Sequence, residues 1–145
     1  MAVDRQGTGL AIIRIALGVF FVSLGLTKYR WFLDKSILAG QFDQWLHAAP
    51  PGSVSRWYLG HVAMPGLAFF ARLVPLGEIL SGIALMLGFW TPLAAFIAFF
   101  MAANFQIASG AMFSLSFLIS GYGLPVLGST LGLAIGGVRL PASVR

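Results

Sequence analysis

Glu78 is a carboxylate in the middle of an apolar stretch, FFARLVPLGEILSGIALMLGFWT, which covers residues 69–91. At helical spacing it shares a face with small and apolar residues that suit contact with another helix. A charged group in the centre of a bilayer costs on the order of 3 kcal/mol, so it is usually paired or faces water. We therefore expect Glu78 to point inward, and it is the first candidate for a functional side chain.

Arg14 is the partner that the sequence suggests for Glu78. If the first apolar helix begins at Leu10 and the second returns from the other side near Leu67, a rise of 1.5 Å per residue leaves both side chains at similar depth. A bidentate ion pair is then possible. This ion pair can be interpreted in two ways. It is either a structural clasp that fixes the register of the two helices, or part of a site in which Glu78 exchanges a proton and both residues are catalytic.

Other polar residues are weaker candidates. Lys28 lies on the same face of the first helix as Arg14, but its long side chain is expected to reach toward the membrane interface. Asn104 and Tyr122 offer an amide and a hydroxyl for a quinone or lipid, although a hydrogen-bonded role in the core is the stronger expectation. No metal site is predicted, nor ligation of haem or chlorophyll, because His47 has only Asp43 at ligand spacing and His61 has no such partner.

Composition shows what kind of protein must position these groups. Of 145 residues, 59% are hydrophobic and 9% are charged, and mean hydropathy is +0.91, which indicates an integral membrane protein. The absence of cysteine excludes disulfides, cysteine-ligated iron-sulfur clusters and covalently attached c-type haem. The net charge of +5 comes from scattered cations, which favours lipid headgroups over nucleic acid as their partner.

Four stretches are apolar over about the length that a helix needs to cross a bilayer. They predict a single integral membrane domain, an all-α bundle of four transmembrane helices with spans at about 10–27, 67–90, 91–109 and 113–137. The first is expected to be a retained helix and not a signal peptide, since Arg14 interrupts it. Pro92 at the first turn of a new helix predicts a tight hairpin between the second and third spans.

The segment of residues 29–66 is predicted to form an interfacial cap between the first two spans. Its apolar residues recur near helical spacing from Ile37 to Leu46, which predicts an amphipathic helix on the membrane surface. The cap also concentrates aromatic residues typical of a headgroup boundary, namely Tyr29, Trp31, Trp45, Trp57 and Tyr58.

The fourth predicted span carries a ridge of glycines. Gly128, Gly132 and Gly136 repeat every four residues on one face, a spacing typical of close helix packing in membranes. We expect this ridge to pack against another helix and not to bind a ligand.

Several of these motifs together resemble a known family. Arg14, the Gly25 and Lys28 pair, LAGQFDQWL in the cap, FARLVPLGEILSGIALMLGFWT and AANFQIASG are similar to those of DoxX-like membrane proteins, particularly the branch related to DoxD, the small subunit of thiosulfate:quinone oxidoreductase. The resemblance covers residues 8–125 and implies a four-helix membrane protein linked to quinone-coupled redox complexes. It places the family's polar pattern on Arg14, Lys28, Glu78 and Asn104. The chain departs from the pattern at Pro92 and at its GGVRLPASVR ending.

Two functional classes follow. In the first, the chain is a subunit of a quinone-linked oxidoreductase, with the quinone headgroup against Glu78 and Arg14 and the electrons supplied by a partner subunit. In the second, it is a non-catalytic subunit of a larger respiratory or photosynthetic complex, and meets pigment or haem only through that complex. Both place it in the inner, cytoplasmic membrane, with cytoplasmic termini and the cap outside.

Overall fold

The fold is helical throughout the described part of the chain. The computed structural model describes residues 4–144, and these contain no strand. In chain order the helices are α1 (Arg5–Thr27), α2 (Tyr29–Leu33), α3 (Ser36–Ala48), α4 (Val54–Tyr58), a π-helical turn (Leu59–Ala63), α5 (Leu67–Leu87), α6 (Thr91–Ala108), a 3₁₀ turn (Ala111–Phe113), α7 (Ser116–Ile119) and α8 (Leu124–Gly136).

Three of these helices, α1, α5 and α6, are long and apolar enough to cross a membrane. The sequence explains where they begin and end. Asp4 caps α1 by accepting a hydrogen bond from the Gly7 amide at 3.0 Å. Gly88, at φ +71°, takes the left-handed conformation that ends α5. Pro92 lies in the first turn of α6, as the sequence predicted.

The fourth predicted span is not one helix. A continuous helix was predicted over residues 113–137, but the structure has the 3₁₀ turn, α7, a loop and then the 13-residue apolar helix α8. The reason is local: Gly121 and Gly123 favour a turn, and Pro125 cannot lie inside a helix without losing a hydrogen bond. Pro125 instead occupies the first turn of α8.

Close backbone contact joins α1 to α5, which run antiparallel. A Cβ atom added at Gly82 would lie 2.8 Å from the carbonyl oxygen of Gly18, and one added at Gly25 would lie 3.0 Å from the carbonyl oxygen of Pro75. Glycine is therefore required at these crossing points. In lipid, such contact supplies the attraction that the hydrophobic effect cannot.

The main core lies between α1, α5, α6 and α8. Phe21, Leu85 and Leu133 are fully buried there. The face of α6 that points into this core carries alanines, which let the neighbouring helices approach: Ala94, Ala95, Ala98 and Ala102. The apolar side chains on the opposite faces are exposed, as expected for surfaces that contact lipid.

A second core attaches the cap to the ends of α5 and α6. The predicted amphipathic helix is α3, and it buries Leu38 and Phe42, while Ile37 faces outward. Leu38 and Phe42 pack with Leu59 and with Ala108 of α6. The segment of residues 29–66 thus forms a cap over one end of the helices.

Candidate functional site

The buried carboxylate of Glu78 is paired with Lys28. Oε1 of Glu78 accepts a hydrogen bond from Nζ of Lys28, and the two residues are 3% and 7% exposed. The ammonium group also lies 5.6 Å from the ring centroid of Trp31 and 5.5 Å from that of Phe105, within cation–π range. Two aromatic faces and a carboxylate thus surround this cation.

The predicted pairing of Arg14 with Glu78 is wrong, as is the prediction that Lys28 reaches the interface. The antiparallel register of α1 and α5 sets Gly18 beside Gly82 and Gly25 beside Glu78. Arg14 is therefore level with Gly88, ten residues from Glu78 along α5, or about 15 Å at 1.5 Å per residue. The predicted pairing took Leu10 as the residue where the first helix enters the bilayer and derived the depth of Arg14 from it. The contacts between α1 and α5 determine the register of the two helices instead.

Arg14 holds the C-terminal segment. It is fully buried, and its guanidinium donates to Oγ of Ser143 at 2.5 Å and to the carbonyl oxygen of Ala142 at 2.8 Å. Its Nε is buried with no hydrogen-bond partner in the described residues. Arg14 thus has neutral acceptors and lies at the C-terminal end of α5, whereas the Lys28–Glu78 pair lies near the middle of that helix.

Glu78 lines an aromatic cavity between the cap and helices α5 and α6. Its second oxygen, Oε2, is buried and makes no hydrogen bond with the described residues. Such an atom normally finds a partner, because a buried unpaired acceptor carries a free-energy cost. The remaining walls are largely apolar and aromatic: Trp31, Leu38, Phe42, Trp45, Tyr58, Ala63, Phe70, Val74, Met101, Asn104, Phe105 and Ala108.

A second polar contact lies in the cavity wall, where the Tyr58 hydroxyl donates to Oδ1 of Asn104. Burial raises the pKa of Tyr58, an effect that the hydrogen bond to Asn104 partly opposes. The hydroxyl therefore stays protonated at neutral pH. With its oxygen engaged by Tyr58, the amide of Asn104 has its NH₂ group to offer to a ligand.

The cavity is small, with a free volume of about 30 Å³. That is room for one or two water molecules, so a ring-sized ligand must displace wall side chains. Tyr122 is not among the lining residues; its ring packs edge-to-face on Phe105, with centroids 5.5 Å apart. Tyr122 thus supports the wall from behind.

The matched family agrees with the resemblance of the sequence motifs. The DoxX family model matches residues 9–110, which is more than half of the chain. The chain belongs to the DoxX family. No curated protein and no solved structure matches it.

The DoxX match includes the residues that the structure gathers at the cavity, Lys28, Glu78 and Asn104, and also Arg14. It ends before Tyr122 and the C-terminal segment that Arg14 holds. The polar centre of this DoxX protein is therefore built within the matched region, by α1, α5, α6 and the cap.

Sequence reasoning missed three aromatic residues of this DoxX cavity. Trp31, Trp45 and Tyr58 were assigned to the headgroup boundary, and the structure turns them toward Glu78 and Asn104. Tyr29 and Trp57, with side chains 59% exposed, are the cap aromatics that face outward. The position of Trp45 one turn after buried Phe42 was the signal available in the sequence.

Proposed function

We propose that this DoxX-family membrane protein binds a quinone headgroup in the aromatic cavity and is a subunit of a quinone-linked oxidoreductase. The observation that carries the proposal is the buried Oε2 of Glu78, which has no hydrogen-bond partner within residues 4–144, in a cavity walled by aromatic rings. A quinol hydroxyl can donate to this oxygen. A flat ring can stack on the aromatic walls, and the amide of Asn104 can donate to a quinone carbonyl.

The chain's own groups would handle protons and position the ring. Reduction of a quinone takes two electrons and two protons. In quinone reduction, a redox centre in a partner subunit supplies both electrons. Glu78 in its protonated form passes one proton to one carbonyl oxygen of the ring, water supplies the second proton to the other carbonyl oxygen, and a further proton from water restores Glu78. Quinol oxidation reverses these steps, with the Glu78 carboxylate accepting a hydroxyl proton. Lys28 holds the carboxylate of Glu78 in place and lowers the free-energy cost of burying the negative charge of Glu78. The protein is thus not catalytic alone.

The proposal also covers the membrane in which the protein lies and its orientation there, both carried over from the sequence interpretation. We assign the protein to the inner membrane with cytoplasmic termini and the cap outside, and α8 to a fourth position in the transmembrane bundle beside α6. Partner subunits would share the bilayer with it, as in the DoxD-related branch that the sequence resembles.

Glu78→Gln tests this function. Glutamine keeps the shape of the side chain but cannot carry the proton, and a hydrogen bond to a charged group contributes about 1.5–3 kcal/mol, so quinol affinity should fall about tenfold or more. Quinones quench tryptophan fluorescence, so saturable quenching of Trp31 and Trp45 in a lipid bilayer measures quinone binding, and relief of that quenching by added quinol measures quinol binding. Quinone-linked turnover of the native assembly measures the proton role.

Asp43→Asn is the matched control, because Asp43 is exposed on α3 away from the cavity and undergoes the same change from carboxylate to amide. It should bind quinol and turn over as the unaltered protein does. Full binding and turnover by Glu78→Gln would end the proposal for this residue and favour the reading of the Lys28–Glu78 pair as a structural clasp.

A further inference from the structure

A groove on the outer face of α5 and α6 reaches the wall of the aromatic cavity. Its first part, of about 310 Å³, is bordered by Phe70, Leu73, Val74, Gly77, Ile97, Phe100, Met101 and Asn104. Phe70, Val74, Met101 and Asn104 border the cavity as well. These four residues are therefore the partition between the groove and the buried carboxylate.

The groove continues along both helices. Its second part, of about 320 Å³, runs past Leu80, Ala84 and Leu93 to Trp90 and shares Leu73, Gly77 and Ile97 with the first part. From Asn104 to Trp90 is 14 residues of α6, or about 21 Å. The groove is almost entirely apolar, and among the described residues its polar lining side chains are Asn104 next to the cavity and Ser81 farther along.

Met101 is the most adaptable part of the partition. It lies over Gly77, where an added Cβ atom would be 2.7 Å from its sulfur. Methionine is unbranched and changes conformation easily. The cap side of the cavity, by contrast, is closed by the buried side chains of Leu38, Phe42 and Leu59, so opening there would require a whole helix to move.

We propose that the quinone enters this cavity sideways from the bilayer, between α5 and α6, with Met101 as the gate and the groove holding the quinone's apolar tail. This inference rests on the proposed function and adds the class of ligand: a quinone with a long alkyl or isoprenoid tail. The head displaces Met101 and part of the cavity wall, while the tail stays in the groove. Since lipid is as apolar as the groove, the groove governs access more than affinity.

Stopped-flow quenching of the full-length protein in lipid nanodiscs tests the route. Trp57 and Trp90, which do not border the cavity, are replaced with phenylalanine so that Trp31 and Trp45 report arrival of the head. A long-tailed quinone is delivered from donor vesicles. Gly77→Leu fills the groove and presses on Met101, and we expect it to slow association about tenfold or more, as an added barrier of 1.36 kcal/mol would.

Gly9→Leu is the matched control, since an added Cβ at Gly9 meets no atom within 4 Å; its association rate should be unchanged. Met101→Ala should raise the association and dissociation rates together, because it removes the gate and leaves Glu78 and Asn104 in place. If Gly77→Leu does not insert, Ile97→Phe blocks the same groove from α6 and should also slow association.

The outcomes separate the two proposals. Saturable quenching of the unaltered protein, with wild-type association rates in the groove variants and in Met101→Ala, would overturn the sideways route and leave the binding function standing. Absence of saturable quenching in the unaltered protein would overturn both.

Discussion

At the scale of single residues, the main feature is the asymmetry of the Glu78 carboxylate. One oxygen is bound by Lys28, and the other is buried without a partner among the described residues. A half-satisfied buried charge costs free energy, so the second oxygen is expected to take a further partner. A water in the adjoining cavity or the proposed ligand can be that partner, so the asymmetry fits both the clasp and the binding role.

A double-mutant cycle measures how far the pair stabilises the fold. Lys28→Met leaves a buried carboxylate without its cation and should lower the free energy of unfolding by about 3–5 kcal/mol. The double variant Lys28→Met, Glu78→Leu removes both charges and should recover most of that loss. Detergent-induced unfolding followed by circular dichroism gives the free-energy change for each single variant, Lys28→Met and Glu78→Leu, and for the double variant.

Lys35→Met is the control for this cycle, since Lys35 is exposed, and its effect should be within about 0.5 kcal/mol. If the double variant instead costs the sum of the two single changes, Lys28 and Glu78 act independently and the pair contributes no coupling energy.

At the scale of elements, two kinds of glycine face behave differently. Gly18, Gly25 and Gly82 are covered by the facing helix. At the predicted ridge on α8, by contrast, an added Cβ at Gly128, Gly132 or Gly136 meets no atom within 4 Å. The ridge does not pack against this chain's described residues, so the packing that the sequence predicted would require another chain.

Gly82→Leu and Gly132→Leu form a matched pair that tests this difference. Gly82→Leu forces the backbones of α1 and α5 apart and should lower the free energy of unfolding by about 3 kcal/mol. Gly132→Leu should leave the isolated chain as stable as before but prevent its association with partner subunits. Unfolding and co-purification in mild detergent measure the two effects. Normal assembly of Gly132→Leu would mean that this face of α8 contacts lipid.

At the scale of the whole molecule, the two buried cations act about 15 Å apart along α5. Lys28 pairs with Glu78 near the middle of α5, whereas Arg14 ties the C-terminal segment to the C-terminal end of α5. The Val144 amide adds a hydrogen bond of 2.9 Å to the carbonyl oxygen of Leu87. Arg139 and Ala142 have φ values of +59° and +55°, a left-handed conformation that is costly for residues with a side chain and needs such support.

Arg14→Met should release this segment. We expect amide hydrogen exchange at Val144 to rise at least about tenfold, because two hydrogen bonds from a charged donor are lost, while the quinol binding proposed for the cavity stays at its wild-type level. Arg5→Met, at the exposed start of α1, is the control for loss of a cation. Loss of quinol binding in Arg14→Met would instead return Arg14 to the site, as the sequence first predicted.

Properties that depend on composition and local spacing could be predicted from the sequence. The apolar stretches predicted a membrane protein, the position of Pro92 predicted the α5–α6 hairpin, and the motifs around Glu78 predicted the DoxX family. Glu78 could be identified as a buried functional candidate because a carboxylate in an apolar helix is costly wherever that helix packs. The break before α8 had a signal in the sequence, namely Gly121, Gly123 and Pro125. The prediction of a continuous span followed the hydropathy of residues 113–137 instead of these turn residues.

Which side chains contact each other depended on how the helices pack in the tertiary structure. Whether Arg14 or Lys28 pairs with Glu78 depends on the register of two antiparallel helices, and this register is fixed by contacts between Gly18, Gly25 and α5. The same holds for Trp31, Trp45 and Tyr58, which become cavity walls because the cap folds over α5 and α6. Contacts between residues far apart in the chain depend on these small packing differences, and local sequence patterns do not encode them.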